Sequence, residues 1–174
     1  MFRSSLIFGS LAGIVVITAT LIFIAMGGSD HNTSPLFGYL IMLVALSLIF
    51  VGTKRYRDLD GGGVIRFLPA LALGLGIAVV ASVIYTVVWE FYLALTHSNF
   101  IDQYAAAVIA QKKAAGVSGA ALQAEIAQMN DLKAQYANPV IRMGMTFMEI
   151  FPVGLIIALI SAALLRNPKL LPAR

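Results

Sequence analysis

Among the groups in this 174-residue chain that could do chemistry, Glu149 is the most informative, because it is the single charge in the run Met143 to Leu165. An ionisable side chain at mid-membrane costs about 2.5 to 3.5 kcal/mol on insertion scales, so its presence calls for a partner or a function. Pro152 follows one turn later. It denies the Met148 carbonyl its usual donor and should bend the helix beside the carboxyl group. Counted at about 1.5 Å per residue from Arg166, Glu149 lies about 25 Å from that boundary, in the outer third of a hydrocarbon layer about 30 Å thick. The same counting brings Ser82, Tyr85 and Thr86, then Thr18 and Thr20, and finally Tyr39 to that depth from three other apolar segments. Hydroxyls donate hydrogen bonds to a carboxyl group, so the expected site is a protonatable acid ringed by Tyr39, Tyr85, Thr86 and Thr20.

A second constellation is an ion pair. Glu90 lies 24 residues beyond Arg66, and Arg142 lies 24 residues before Arg166, so the two meet at one depth if their helices run antiparallel. His97, Glu90 and Asp102 could be drawn as a metal site, but two scattered histidines without ligand spacing are more often interfacial polar residues, and no metal is expected. The chain has no cysteine, which removes disulfides, thiolate zinc sites and thiol nucleophiles. The run Gly61 to Gly63 lacks the following Lys-Ser/Thr pair and a preceding strand, so it is a flexible turn and no phosphate loop. No cofactor pattern and no catalytic set emerges, and an enzyme is not expected.

These groups must be positioned by apolar helices. The chain is 60% hydrophobic and 11% charged, with a mean hydropathy of +0.90, whereas a soluble domain is about a quarter charged. Leu6 to Met26, Pro35 to Thr53 and Phe67 to Trp89 are uncharged runs of 21, 19 and 23 residues, and Met143 to Leu165 is a fourth of 23 broken only by Glu149. About 20 residues of helix cross a bilayer. The sequence therefore predicts an all-α polytopic membrane protein with spans at about 5–27, 35–54, 67–96 and 139–166, forming a single membrane domain over residues 1–174. Ser34 before Pro35 and Asn138 before Pro139 supply capping side chains ahead of a proline at the first helical position. The first span is too long for the apolar core of a cleaved signal peptide, which runs to about 7 to 15 residues.

Arg3, Lys54, Arg55, Arg57, Arg66, Arg166, Lys169 and Arg174 all fall on one side of these spans, opposed there only by Asp58 and Asp60. The other side balances to zero, so the positive-inside rule puts both termini in the cytoplasm. Tyr56 and Phe67 on that side, and Trp89 with Tyr92 opposite, are placed as interfacial aromatics. The net charge of +4 is explained by orientation, and nucleic acid is not an expected partner. Lys54 to Arg57 with Arg66 could meet anionic headgroups, although a topogenic charge cluster explains them as well.

Between the third and fourth spans, residues 98–137 show helical periodicity in two pieces, separated at Gly116 and Gly119. Ile101, Tyr104 and Val108 share a face of the first piece; Leu122, Ile126, Met129 and Tyr136 share a face of the second, which Ser118 could cap. The expectation is an extracytoplasmic helical hairpin. Small residues recur every four positions at Ala70, Gly74, Ala78 and Ser82, and again at Gly154, Ala158 and Ala162, so the third and fourth spans should cross closely there. Gly9 and Gly13 have the spacing of a helix-pairing motif, used either between two copies or within one chain.

The segments GYLIMLVALSLIFVGTKRYRD, within Phe37 to Phe67, and NPVIRMGMTFMEIFPVGLIIALISAALLR, from Asn138 to Arg166, resemble the bacterial inner-membrane proteins catalogued as domain of unknown function 4199. The likeness covers nearly the whole chain, although the stretch Asp58 to Asp60 is shorter than the acidic run associated with that turn in the family. The resemblance implies a bacterial inner membrane and supplies no catalytic residue. The expected function is a non-enzymatic scaffold or accessory subunit, with the bilayer and a homo-oligomeric or membrane-protein partner as its contacts. The alternative is a small oligomeric proton-coupled transporter that uses Glu149 beside Pro152.

Overall fold

A computed structural model describes residues 1–25, 35–96 and 99–172, with backbone alone at 35–37. Among the described residues seven helices run in order: α1 Phe2–Ala25, α2 Pro35–Leu46, α3 Leu48–Leu59, α4 Phe67–Thr96, α5 Phe100–Ala114, α6 Gly119–Tyr136 and α7 Pro139–Leu165. No strand occurs among the described residues. Four stretches of the described residues are long and apolar enough to cross a membrane: α1, Gly38–Leu59, α4 and α7. The second is one span in two helices, because the backbone ladder continues through Ser47, whose amide donates to Leu43 O at 3.0 Å and whose carbonyl accepts from Val51 N at 3.2 Å. The Ser47 hydroxyl bonds to Val44 O at 2.6 Å. A local side-chain bond of this kind disturbs a helix without ending it.

The helix ends follow their sequence chemistry in part. Asn138 Oδ1 accepts from Val140 N at 3.0 Å, ahead of Pro139 at the first position of α7. Ser118 stands at the cap position of α6 in extended backbone, yet its hydroxyl makes no capping bond. Pro152 lies inside an α7 that continues to Leu165. Ser34, expected to cap α2, lies outside the described residues, as do His31 and His97.

The helix α4 is the centre of the bundle, with α1 on one side and α7 on the other. Val16, Leu46, Ile49, Leu73, Ile77 and Ile150 are buried to 2% exposure or less and fill its middle. Large aliphatic side chains such as Leu11, Ile14, Leu43, Val44, Ile156 and Ile160 point outward instead. Such an apolar exterior is stable in lipid and unstable in water.

Close approach is what the small residues provide. A Cβ on Gly74 would stand 2.9 Å from Ala158 Cβ, and one on Gly154 would stand 2.8 Å from Ala78 Cβ. The spacing motif in α1 is used within the chain: a Cβ on Gly9 would lie 2.8 Å from Ile77 O, and one on Gly13 would lie 2.8 Å from Ala81 O.

At the basic end, α3 closes into a turn in which Gly63 N donates to Arg57 O at 2.9 Å, and Gly62 and Gly63 adopt φ of +60° and +85°. Arg57 is fully buried there. It donates to Asp58 Oδ1 at 2.7 Å, to Leu170 O at 3.0 Å and to Leu171 O, so the segment after α7 is pinned to α3. Lys54 joins Asp58 at 2.5 Å. Arg57 is thus committed to protein carbonyls and is withdrawn from any headgroup.

Candidate functional site

Toward the opposite end the four spans part and enclose a cavity of about 810 Å³. Thr20 and Phe23 of α1, Ile41 and Met42 of α2, Tyr85 and Trp89 of α4, and Met145, Thr146 and Glu149 of α7 form its walls. The roof is α5, which presents Phe100, Gln103, Tyr104, Ala107 and Gln111. These positions recur at three and four residues, so they form one stripe along the helix. The opposite side of α5 is held by α6: Ala105 and Met129 are buried, and Lys112 to Glu125 at 2.6 Å and Lys133 to Asp102 at 2.9 Å tie the two helices antiparallel at both ends. The loop between them turns at Gly116, with φ of +86°.

Glu149 lines this cavity and is accessible from it. Tyr85, buried to 4% exposure, lines the same cavity as Thr20 and Glu149. The Thr20 hydroxyl donates to Val16 O at 2.9 Å, which leaves its lone pairs turned to the cavity as acceptors. Thr146 likewise donates to Arg142 O at 3.0 Å. A cavity of this volume falls within the range of small-molecule sites, which are mostly apolar with a few placed polar groups.

Of the residues expected around Glu149, the structure brings Tyr85 and Thr20 to the chamber and leaves two outside it. Tyr39 is 55% exposed and does not line the chamber, although Met42 one turn along the same side of α2 does. Thr86 is buried in the α4–α7 seam, level with Thr146, and its Oγ1 has no hydrogen-bond partner. Ser82 bonds back to Ala78 O at 2.9 Å, and Thr18 is exposed.

Glu90 and Arg142 meet at the end of that seam. Arg142 Nη2 donates to Glu90 Oε2 at 2.5 Å and Nε donates to Oε1 at 2.8 Å, a two-point grip that fixes orientation as well as distance. The guanidinium also stands 5.5 Å from the centre of the Tyr136 ring. Tyr136 in turn accepts from Trp89 Nε1 at 2.9 Å. Burial pushes the Tyr136 phenol above the usual tyrosine range, so it stays a neutral group at physiological pH. Trp89, expected as an interfacial ring, is buried, with Phe100 edge-on at 5.0 Å and 86°.

Gln103, Gln111, Tyr136 and Thr146 belong to the chamber and were not singled out as site residues from the sequence. The available signal was the stripe Gln103, Ala107, Gln111, four residues apart on α5. Among the described residues no group of three or more metal-ligating side chains converges.

Residues 7–167 match the family model described as protein of unknown function (DUF4199). The chain belongs to this family. No curated protein and no solved structure matches it. The DUF4199 match includes every residue of the chamber and the Glu90–Arg142 pair, and it ends before the Leu170–Leu171 segment that Arg57 holds.

Proposed function

We propose that this DUF4199 protein is a membrane carrier whose solute site is the α5-roofed chamber and whose coupling group is Glu149. The observation that carries this reading is that Glu149 lines an open cavity of about 810 Å³ and is not sealed between two helices. A carboxyl group used only to hold helices together gains nothing from a void beside it, whereas a group that alternates between a proton and a solute needs one. The reading assigns no chemical step to the chain. Seven of the eight basic residues that flank the spans cluster in the described residues at the end opposite the chamber, which supports placing that end in the cytoplasm of a bacterial inner membrane, with the chamber facing out.

A second reading, an accessory subunit that docks a partner through α5 and α6, is supported by α6, which packs chiefly on α5 and α7 and leaves a polar side exposed. Proteoliposomes with an entrapped pH dye separate the two. An imposed pH gradient, tested against a panel of small organic cations, anions and neutral solutes, should collapse with at least one of them, and Glu149→Gln should abolish that collapse. Unaltered flux in Glu149→Gln would reject the carrier. A function lost on deleting residues 99–137, but kept in Glu149→Gln, would establish the docking role.

A further inference from the structure

The chamber walls also define the charge and shape of what fits inside. Glu149 is the only acid among the described lining residues, and no lysine, arginine or histidine is among them. Arg142, on the same helix as Glu149, is spent on Glu90 and on the Tyr136 ring. Among the described lining residues a charge entering the chamber therefore meets one carboxyl group and no positive charge.

Around that carboxyl group stand aromatic rings. Trp89 and Phe100 meet edge to face at 5.0 Å and 86°, Tyr92 is stacked on Trp89 at 5.4 Å and 27°, and Tyr104 is stacked on Phe100 at 6.4 Å and 19°, so the rings form one aromatic cluster at the chamber wall. Tyr85 also lines the chamber. Ring faces carry the negative lobe of the aromatic quadrupole and attract cations, most strongly when both are out of water. A small inorganic cation gains little from ring faces and would lose its hydration, whereas an organic cation with its charge spread over an apolar surface is favoured by both the rings and the enclosing aliphatic side chains.

We infer that the chamber takes a lipophilic organic monocation, with Glu149 as its counter-ion and the aromatic cluster of Trp89 and Phe100 with the aliphatic lining as its apolar wall. This rests on the carrier reading, and it names the substrate class of that same site. Thr20, Gln103 and Gln111 add neutral hydroxyl and amide groups, which leave Glu149 as the one charged group among the described lining residues.

Trp89 is the sole tryptophan in the chain, so its emission reports on the chamber in the intact protein. The full-length protein in nanodiscs of uncharged phosphatidylcholine is titrated with tetraphenylphosphonium and with tetraphenylborate, which share size and shape but differ in the sign of their charge. The cation should give a saturable change, with the anion at least about tenfold weaker, and Glu149→Gln should weaken the cation about tenfold by removing its counter-ion. Phe100→Leu, which keeps the carboxyl group and removes one ring of the aromatic cluster, should weaken it about fivefold and decides the matter if Glu149→Gln fails to fold. Equal affinity for the two ions, or unchanged cation affinity in both variants, overturns the monocation and leaves the carrier standing. Silence of Trp89 toward both ions overturns the monocation as well. If pH-gradient collapse is then also absent for every solute in the panel, the carrier reading falls with it.

Discussion

The helices α4 and α7 share one seam, yet its two halves are built in opposite ways. Toward the basic end Gly74 nests against Ala158 and Gly154 against Ala78, with no room for another carbon. Two turns on, the same faces carry Thr86, Thr146, Glu90 and Arg142, and the bundle opens into the chamber. One half gains stability from contact, and the other gives up contact for a space. The difference teaches that the packed half serves the open one: it fixes the depth and facing of Tyr85, Trp89 and Glu149 without itself touching a ligand. In such a design, stability and function should respond to different residues.

The sharpest way to break this contrast is to enlarge a residue in the packed half. Gly74→Leu should cost about 3 kcal/mol or more, because the obstructing atoms belong to a facing helix that cannot yield, and unfolding in mixed micelles with rising SDS would measure it. A loss under 1 kcal/mol would mean that the seam is looser than its distances imply. Next in size is Arg142→Met, which strands Glu90 at the seam's end. Both side chains keep some exposure, 20% and 17%, so the expected loss is about 2 kcal/mol, below the full cost of a buried unpaired charge. The double variant Glu90→Leu/Arg142→Met should recover to within about 1 kcal/mol of the parent in the same titration. The smallest effect on stability is expected in the roof. Ala107→Leu adds volume to an empty space and should change unfolding by about 0.5 kcal/mol or less, while it blocks the Trp89 response to ligand. If Ala107→Leu instead destabilised as Gly74→Leu does, the two halves would not differ as described.

Much of this arrangement was legible by counting residues from the charged boundaries. Straight antiparallel helices keep register at a fixed rise per residue, and that is why Arg66 and Arg166 sufficed to set Glu90 against Arg142 and small residues against small residues. Depth says nothing about direction around the helix axis, however. Tyr39 stays exposed and Thr86 is buried away from the chamber, because packing neighbours decide which positions at a given depth are covered. The roof was illegible for a different reason. Residues 100–114 lie beyond the charged-boundary ruler, and their mixed alanine, glutamine and aromatic composition fits either face. The apolar set Ile101, Tyr104 and Val108 divides in the structure: Tyr104 and Val108 line the chamber, while Ile101 does not and Ala105 takes the buried position.

The two-point grip of Arg142 on Glu90 limits how this molecule can move. Sliding α4 along α7 by one turn, about 5.4 Å, would set Glu90 level with Thr146 or beyond the start of α7, strand the guanidinium, and lift the glycines out of their alanine sockets. A piston stroke is therefore barred at both ends of the seam. Nor can α4 and α7 spread apart about the glycine sockets without breaking that grip, so on the carrier reading a solute would be admitted or released by tilting the other helices around a pair whose alignment never changes.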